Sequence, residues 1–453
     1  MVTQELGVRI PPAALLTRCV SEPFLFLLDG GSTASWGTGT ALLGFAPHAT
    51  LRVAADGEAW VRADGHNHRW SGDPFDLLDR FRAEYSPLAK SGAPSCAGGV
   101  VAALSYDLRH WVESLPRHRH ALPFPVLHAA AYDWLLAYSY IDGRYRLGSW
   151  RRSAAELDNI AAHILQLVTA PAAAHPYHRC GVRSNMDAAE YARTIRSAQA
   201  YIAAGDVYQV NLAQRFAASG GRQPAALFEH FQLRHPAPFA AYVDTGDCIL
   251  VSNSPECFLA VQGDAVATFP IKGTRRRGDD ARADAALVED LRNDPKERAE
   301  HVMIVDLERN DLGRVCRIGS VRVEDFARIC TLRSLHHMVS KVSGRLRPEC
   351  TLGTVLRAMF PGGSITGAPK IRAMQIIDEL EPIGRGFYTG AIGRIGVGGE
   401  VIFNLAIRTV VATPQQVTYH AGGGIVADSV PAREYEETLL KAQPFFAALQ
   451  AAG

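Results

Sequence analysis

The sequence predicts an α/β protein of the α+β type, antiparallel strands with helices inserted between them, and three observations carry that expectation. Short apolar runs closed by Gly, Pro or Asp recur through residues 1–170, the spacing of antiparallel strands and their turns. Two more such runs flank Gln262-Gly263-Asp264 and read as a hairpin. From residue 187 onward, helices with recognisable starts and stops alternate with strands. At 453 residues the chain is long enough for roughly two to four domain equivalents around a large core. Its 47% hydrophobic and 21% charged residues are those of an ordinary globular protein.

Taken in order, residues 23–28 (PFLFLL) form a buried strand closed by Asp29-Gly30-Gly31, and further strands are expected at 40–45, 99–105 and 132–141. His118 and His120 lie in a polar stretch with no partner Cys or His at ligand spacing, so a loop is expected there. Residues 169–185, rich in Ala, Pro and small polar side chains, read as a linker between an N-terminal region, 1–180, and a second region, 185–453. Asp187 and Glu190 make a capping box for a helix that buries Tyr191, Ile195, Ala198 and Ile202 and stops at Gly205. In the strand that follows, alternation puts Gln209 and Asn211 on one face, where amides either line a site or meet water. Residues 248–251 lead to Glu256, and the hairpin 258–261 with 265–269 delivers Lys272 beside it.

Lys272 stands in Pro-Ile-Lys-Gly-Thr and is followed by Arg275, Arg276 and Arg277. Desolvation and nearby positive charge both lower a lysine pKa, and a lysine nucleophile requires that lowering. Glu256 and Lys272 then serve either as acid and nucleophile or as a surface ion pair. Glu300, on a helix expected over 295–306, and Glu437, on a helix expected around 434–440, suit Mg2+, which takes a few carboxylates plus substrate oxygens and water. Glu437 and Lys441 are also an ordinary i,i+4 pair. Two glycine loops are expected. Residues 361–370 (PGGSITGAPK) run into a helix in an anion-facing geometry but lack the spacing of a nucleoside-triphosphate loop. Gly422, Gly423 and Gly424 leave a strand and either form a tight turn or offer consecutive N–H groups to a carboxylate, with Arg408 a candidate bidentate clamp nearby.

As an ordered set, SPECFL, PIKGT, DLERNDLGRV, HHMVS, PGGSITGAPK, NLAIRT and GGGIVADSVPAREYEET resemble the chorismate-using enzymes and are similar within them to the aminodeoxychorismate synthase component I branch. The likeness is strong over residues 185–450 and weak before them. It implies a large sandwich of antiparallel sheets with helices outside. It further implies conversion of chorismate and ammonia to 4-amino-4-deoxychorismate for p-aminobenzoate and folate. On the resemblance, Lys272 attacks C2 while Glu256 protonates the departing C4 oxygen. His337 lies near the ring hydroxyl, and Arg408 with Tyr388 grips the side-chain carboxylate. Glu300 and Glu437 hold Mg2+ on the ring carboxylate, supported by the amides of Gly422 to Gly424. Thr366, Gln209 and Lys441 complete the substrate contacts. In the anthranilate synthases an alanine stands at the position of Lys272, and in the isochorismate synthases a lysine stands at that of Gln209. Some relatives hold tryptophan beside a Leu-Leu-Glu-Ser stretch; Leu27-Leu28-Asp29-Gly30 here departs from it, so no tryptophan feedback is expected.

No cysteine has a glutaminase setting, so ammonia is expected from a glutaminase partner or from solution. Two alternatives remain open at this stage: amination at C2, and a catalytically silent scaffold for the glutaminase. Lys+Arg 47 against Asp+Glu 46 implies no field for nucleic acid. No run of about 18 apolar residues suggests a membrane span, and no signal peptide is read, so the cytoplasm is expected. The eight cysteines have no C-x-x-C pair and are expected to be reduced core residues.

Overall fold

The computed structural model describes residues 1–31, 37–88, 92–115, 122–170, 181–219, 223–333 and 335–450. Among them are two antiparallel sheets of twelve strands each. The first runs Val2–Leu6, Arg144–Ser149, Trp134–Ser139, Thr40–Gly44, Phe26–Asp29, Phe239–Asp244, Ile249–Ser254, Thr409–Ala412, Gln416–Ile425, Gln209–Ser219 and Val182–Ser184, with Gly367–Ala368 also on Gln209–Ser219. The second runs Ile271–Arg276, Leu335–Arg345, Ala265–Phe269, Cys257–Gln262, Val401–Leu405, Ala391–Gly396, Gly99–Leu104, Leu127–Tyr132, Ala49–Val53, Glu58–Ala63 and His66–Ser71, with Arg322–Thr331 on Leu335–Arg345. Strands from residues 1–180 and from 185–453 share both sheets, since Phe26–Asp29 pairs with Phe239–Asp244 and Gly99–Leu104 with Ala391–Gly396.

The sheets face each other through one apolar layer. Phe26, Leu42, Val243, Leu250 and Val411 of the first pack with Val101, Ala103, Ala130 and Ile392 of the second. The outer face of the second sheet buries the helices Pro74–Tyr85 and Leu352–Met359, and that of the first buries Pro224–Arg234 and Pro431–Gln450. The helices are therefore outside, as the resemblance implies. Burial follows sequence pattern: Glu58–Ala63 alternates exposed and buried residues, whereas the central strand Gly99–Leu104 (GVVAAL) is apolar on both faces and wholly buried.

Two places where the chain changes sheets matter most. Between Ile249–Ser254 and Cys257–Gln262 the chain passes from the first sheet to the second through Pro255 and Glu256. Between Val401–Leu405 and Thr409–Ala412 it passes back through Ala406, Ile407 and Arg408. The crossings run side by side: Leu405 N–H donates to Glu256 O at 3.0 Å, and Asn253 N–H donates to Arg408 O at 3.0 Å.

The capping box at Asp187 and Glu190 is formed and starts the helix Ala188–Ala203, after which Gly205 takes φ +83°. The run 132–141 splits at Asp133 into strands of different sheets, because Asp133 is another crossing. The helix expected to end at 306 continues to Gly313, since Glu308, Asp311 and Leu312 keep burying its inner face. Gly422, Gly423 and Gly424 are not a loop. They lie in the strand Gln416–Ile425, laddered to Ala213, Leu212 and Asn211. The ladder forbids side chains there: a Cβ on Gly424 would sit 1.9 Å from Gln209 Nε2 and one on Gly422 2.4 Å from Leu212 O. The described cysteines are free, and all but Cys350 are buried. His118, His120, Cys180 and most of the expected linker fall outside the described residues. No described helix is long and apolar enough to cross a membrane.

Phe26 fills the layer between the sheets, its ring edge-on to Tyr132 at 4.7 Å. Phe26→Ala is expected to lower unfolding free energy by about 3–5 kcal/mol in denaturant titration, the range for emptying an aromatic site.

Candidate active site

Glu256 is set by the first crossing, and Lys272 by the strand Ile271–Arg276 at the edge of the second sheet. That strand carries a bulge between Lys272 and Thr274, with Gly273 at φ +71°. A Cβ on Gly273 would lie 2.7 Å from Leu291 Cδ1, so glycine is required for both conformation and space. Loop 361–369 closes over both groups. Ser364 Oγ donates to Glu256 Oε1 at 2.7 Å, and Lys272 Nζ donates to Ser364 O at 3.2 Å.

Burial dominates the electrostatics. Glu256 is only 6% exposed. Desolvation pushes its carboxyl up to about 7 against the opposing pull of Ser364, Lys272 and Arg408. Desolvation likewise lowers the Lys272 amine against the carboxylates of Glu300 and Glu256. The pair is thus biased toward neutral amine and protonated acid. Arg275, Arg276 and Arg277 do not supply the positive charge expected from sequence. Arg275 is paired with Asp290 and Asp294, Arg277 with Asp284, and Arg276 is exposed. Lys441 is the cation that bears on Lys272.

Arg408 holds φ +51° at the second crossing, a left-handed conformation that costs a non-glycine residue about 1–3 kcal/mol. Among the described residues no carboxylate forms an ion pair with it; burial lowers its pKa, while Tyr419 and Glu256 raise it. His337 is buried, with Nδ1 3.0 Å from Thr274 Oγ1 and Nε2 unpartnered. Burial and then Arg408 depress it to about 3, so it is a neutral imidazole. Tyr388 is buried and stacked on His420 at 4.9 Å.

Glu300, from the helix Pro295–Gly313, and Glu437, from Pro431–Gln450, influence each other electrostatically. Burial raises Glu300 above the carboxylate range. Glu437 ends below it, because its burial is opposed together by Lys441, 2.7 Å away, Lys296 and Lys272. Lys441 also donates to Gly422 O at 2.9 Å. Gly423 brings the strand between two acids, for its Cβ would be 3.4 Å from Glu434 Oε2 and 3.5 Å from Glu437 Oε1. Glu434 was missed from sequence, where it reads as one more charge on the last helix. No group of three His, Cys, Asp or Glu among the described residues forms an all-protein metal cage. The converging carboxylates instead fit Mg2+, which keeps water and substrate oxygens.

Thr366 is fully buried, its hydroxyl donating to Gly362 O and Gly363 O at 3.1 and 3.2 Å. Ser364, two residues earlier, is the one that touches both Glu256 and Lys272, and only the tertiary closure reveals it. Lys370 does not make an anion site: it pairs with Asp311 and donates to Pro361 O at 2.9 Å, which closes the loop on itself. Gly363 N–H donates to Glu308 Oε1 at 3.0 Å, and Arg385 Nη1 donates to Ile365 O at 3.0 Å. Gln209 and Asn211 share a face as expected, both buried, with Oε1 and Oδ1 unpartnered.

A cavity of about 210 Å3 lies behind Leu28, Asp29 and Gly30, against Pro238 and Asn404. The Asp29 carboxylate accepts from Gly31 N at 3.0 Å and Tyr140 Oη at 2.8 Å. A wider recess of about 680 Å3 beside the hairpin at Gln262 shares no lining residue with the site.

Because the raised pKa of Glu256 means the folded state binds its proton more tightly, stability attributable to this group falls as pH rises from about 4.5 to about 7. Glu256→Gln is expected to raise the melting temperature at pH 8, by the equivalent of about 3 kcal/mol. The gain should vanish near pH 4. Equal melting shifts at both pH values would contradict it.

The family described as chorismate binding enzyme matches residues 26–447. Aminodeoxychorismate synthase component 1 of Klebsiella aerogenes is 38% identical over 425 residues, covering 93% of this chain and 92% of its own. Anthranilate synthase component 1 1 of Haloarcula marismortui is 39% identical over 361 residues, covering 76% and 74%. The crystal structure of anthranilate synthase component I from Streptococcus pneumoniae TIGR4 superposes with a TM-score of 0.78 at 28% identity over 99% of both chains.

Proposed function

The chain belongs to the chorismate-binding enzymes, and on that premise we propose that it aminates chorismate at C4, giving 4-amino-4-deoxychorismate for p-aminobenzoate and folate synthesis. The observation that carries the reading is Lys272, a buried amine driven toward neutrality beside a protonatable Glu256.

In the first displacement the Lys272 amine bonds to C2. The C1–C2 π pair moves to C6–C1, the C5–C6 pair moves to C4–C5, and the C4–O bond breaks. Glu256 gives its proton to the departing oxygen, which leaves as water. In the second, ammonia bonds to C4, both π pairs return, and the C2–N bond to Lys272 breaks. The surplus proton on the new amine returns to Glu256, so the sum is chorismate plus ammonia to aminodeoxychorismate plus water. Arg408, free of carboxylate partners among the described residues, and Tyr388 receive the side-chain carboxylate. Neutral His337 offers its free Nε2 to the ring hydroxyl region.

Glu300 and Glu437 would hold Mg2+, which supplies charge neutralisation of the ring carboxylate. Gln209, Thr366 and Lys441 contribute further substrate contacts, Lys441 being held by Glu437 and Gly422 O. Ammonia comes from a glutaminase partner, consistent with relatives named as a component 1.

The competing reading puts nitrogen at C2, and the 39% identity to an anthranilate synthase favours it. Incubating the chain with chorismate, Mg2+ and ammonium salt separates them. p-Aminobenzoate appearing only after an aminodeoxychorismate lyase is added is the expected result, and anthranilate without the lyase would refute it. With ammonia withheld, intact mass should show an adduct that Lys272→Ala abolishes. Micromolar tryptophan is expected to leave the rate unchanged, because both Asp29 oxygens are already engaged; inhibition would show that the cavity behind Leu28 is a regulatory site.

A further inference from the structure

The helix Pro295–Gly313, which carries Glu300, packs farther along against loop 361–369. Leu307 and Glu308 meet the loop at Gly363, where a Cβ would stand 2.6 Å from Leu307 Cδ2 and 3.1 Å from Glu308 Oε1. Only glycine lets the loop settle that close to the helix. The Gly363 N–H donates to Glu308 Oε1 at 3.0 Å. Gly363 also opens the short 3-10 turn Gly363–Ile365, whose preceding residue, Gly362, offers no side-chain cap. The leading N–H of such a turn has no acceptor within it. Glu308 supplies from a distant helix the acceptor that a capping side chain supplies locally.

The next residue of the turn is Ser364. Its hydroxyl donates to Glu256 Oε1 at 2.7 Å, and its carbonyl accepts from Lys272 Nζ at 3.2 Å. Both bonds depend on where the turn backbone sits, and Glu308 holds that backbone one residue upstream. Glu308 is only 3% exposed, and its second oxygen, Oε2, is buried without a partner. Lys370, the cation nearby, pairs with Asp311 instead. A buried acid with an idle oxygen costs stability that an apolar side chain of the same size would not, so its place here calls for a role. Burial and Asp311 raise the Glu308 carboxyl far above the usual range against Lys370 and the Gly363 N–H, and Glu256 adds to the rise. Held toward its neutral form, Glu308 can grip the turn without setting a second negative charge behind Glu256. The Ser364 bond acts the other way on Glu256: with Lys272, the Ile271 N–H and Arg408 it opposes the rise that burial causes.

We propose that Glu308 is a positioning residue of the reaction: by holding the Gly363 N–H it sets the Ser364 hydroxyl on Glu256 and the Ser364 carbonyl on Lys272, and so aligns acid and amine. It touches neither the substrate nor the reacting atoms. The role rests on the reading of Lys272 as nucleophile and Glu256 as acid. When the turn shifts, Glu256 loses the bond that favours its ionised form, and its pKa goes up.

The test uses the full chain with Glu308→Met, Glu308→Gln, Ser364→Ala and the double variant Glu308→Met with Ser364→Ala. Gln keeps an oxygen for the Gly363 N–H, whereas Met keeps the length and removes it. With chorismate and Mg2+ but no ammonia, Glu308→Met is expected to slow Lys272 adduct formation at least about tenfold, the scale of a small misplacement of reacting groups. The chorismate concentration giving half the maximal rate should stay within about twofold. Glu308→Gln should recover most of the lost rate. Because Glu308 acts through Ser364, Glu308→Met should cost less than about twofold when Ser364→Ala is already present. The limb of the pH–rate profile near pH 7 should move upward in Glu308→Met and Ser364→Ala and stay in place in Glu308→Gln. A separate readout needs no chemistry: the rise in melting temperature that Glu256→Gln gives at pH 8 should be larger in Glu308→Met than in wild type, and equal near pH 4. Glu308→Leu repeats the removal with a different shape, so a folding defect in one variant does not decide the result. Full additivity of Glu308→Met with Ser364→Ala overturns the proposal, as does an unmoved limb with an unmoved melting gain. If the wild type forms no adduct at all, the functional reading fails, and the melting comparison alone decides whether Glu308 sets Ser364 on Glu256.

Discussion

Burial imposes a choice on Lys272 and Glu256. In water they would be a salt bridge of little net worth. Out of water the loss of hydration exceeds their mutual attraction, and each moves toward its neutral form. A neutral amine and a carboxylic acid are what a nucleophile and a leaving-group acid have to be. The surrounding structure serves to keep both dry: loop 361–369 lies over them, tied down by Lys370 at its own ends, by Glu308 through Gly363 and by Arg385 through Ile365.

The sandwich supplies the place for such burial. Where the chain leaves one sheet for the other, backbone groups fall out of the ladders and side chains point into the seam. Two crossings running side by side satisfy each other's backbone, at Leu405 to Glu256 and Asn253 to Arg408. Their side chains are then free to face a common space. The left-handed backbone of Arg408 is tolerated because strands on both sides fix it. One acid and one guanidinium without an ion-pair partner among the described residues are held this way.

Opposite the seam, glycine governs. Gly422, Gly423 and Gly424 let a ladder strand approach Gln209 on one face and the acids of the last helix on the other. The acids of the last helix and the amides of Gln209 and Asn211 are thereby separated by the thickness of one strand. Lys441 bridges the first group to the strand through Gly422 O, while Arg385, bound to Glu381 and to Asn211 O, fixes the second.

The sequence by itself determined the alternation of strands and helices, the capping box at Asp187, the hairpin at Gln262, and the residue types of the site, because these rest on local periodicity and on chemistry carried by single side chains. It also placed Gln209 with Asn211, since alternation along one strand is local. It misjudged the arginine run after Lys272, since Arg275 and Arg277 are paired with Asp290, Asp294 and Asp284 and Arg276 is exposed. It read Gly422 to Gly424 as a loop, because glycine signals conformational freedom when no neighbour is known. Only the tertiary structure decided that strands from both regions share each sheet, that Ser364 joins Glu256 to Lys272, and that Glu434 stands beside Glu437. Those facts depend on contacts between residues 92 or more positions apart, or on which face of a helix meets a strand. Desolvation, the term that sets the protonation of the site, exists only once those contacts have excluded water.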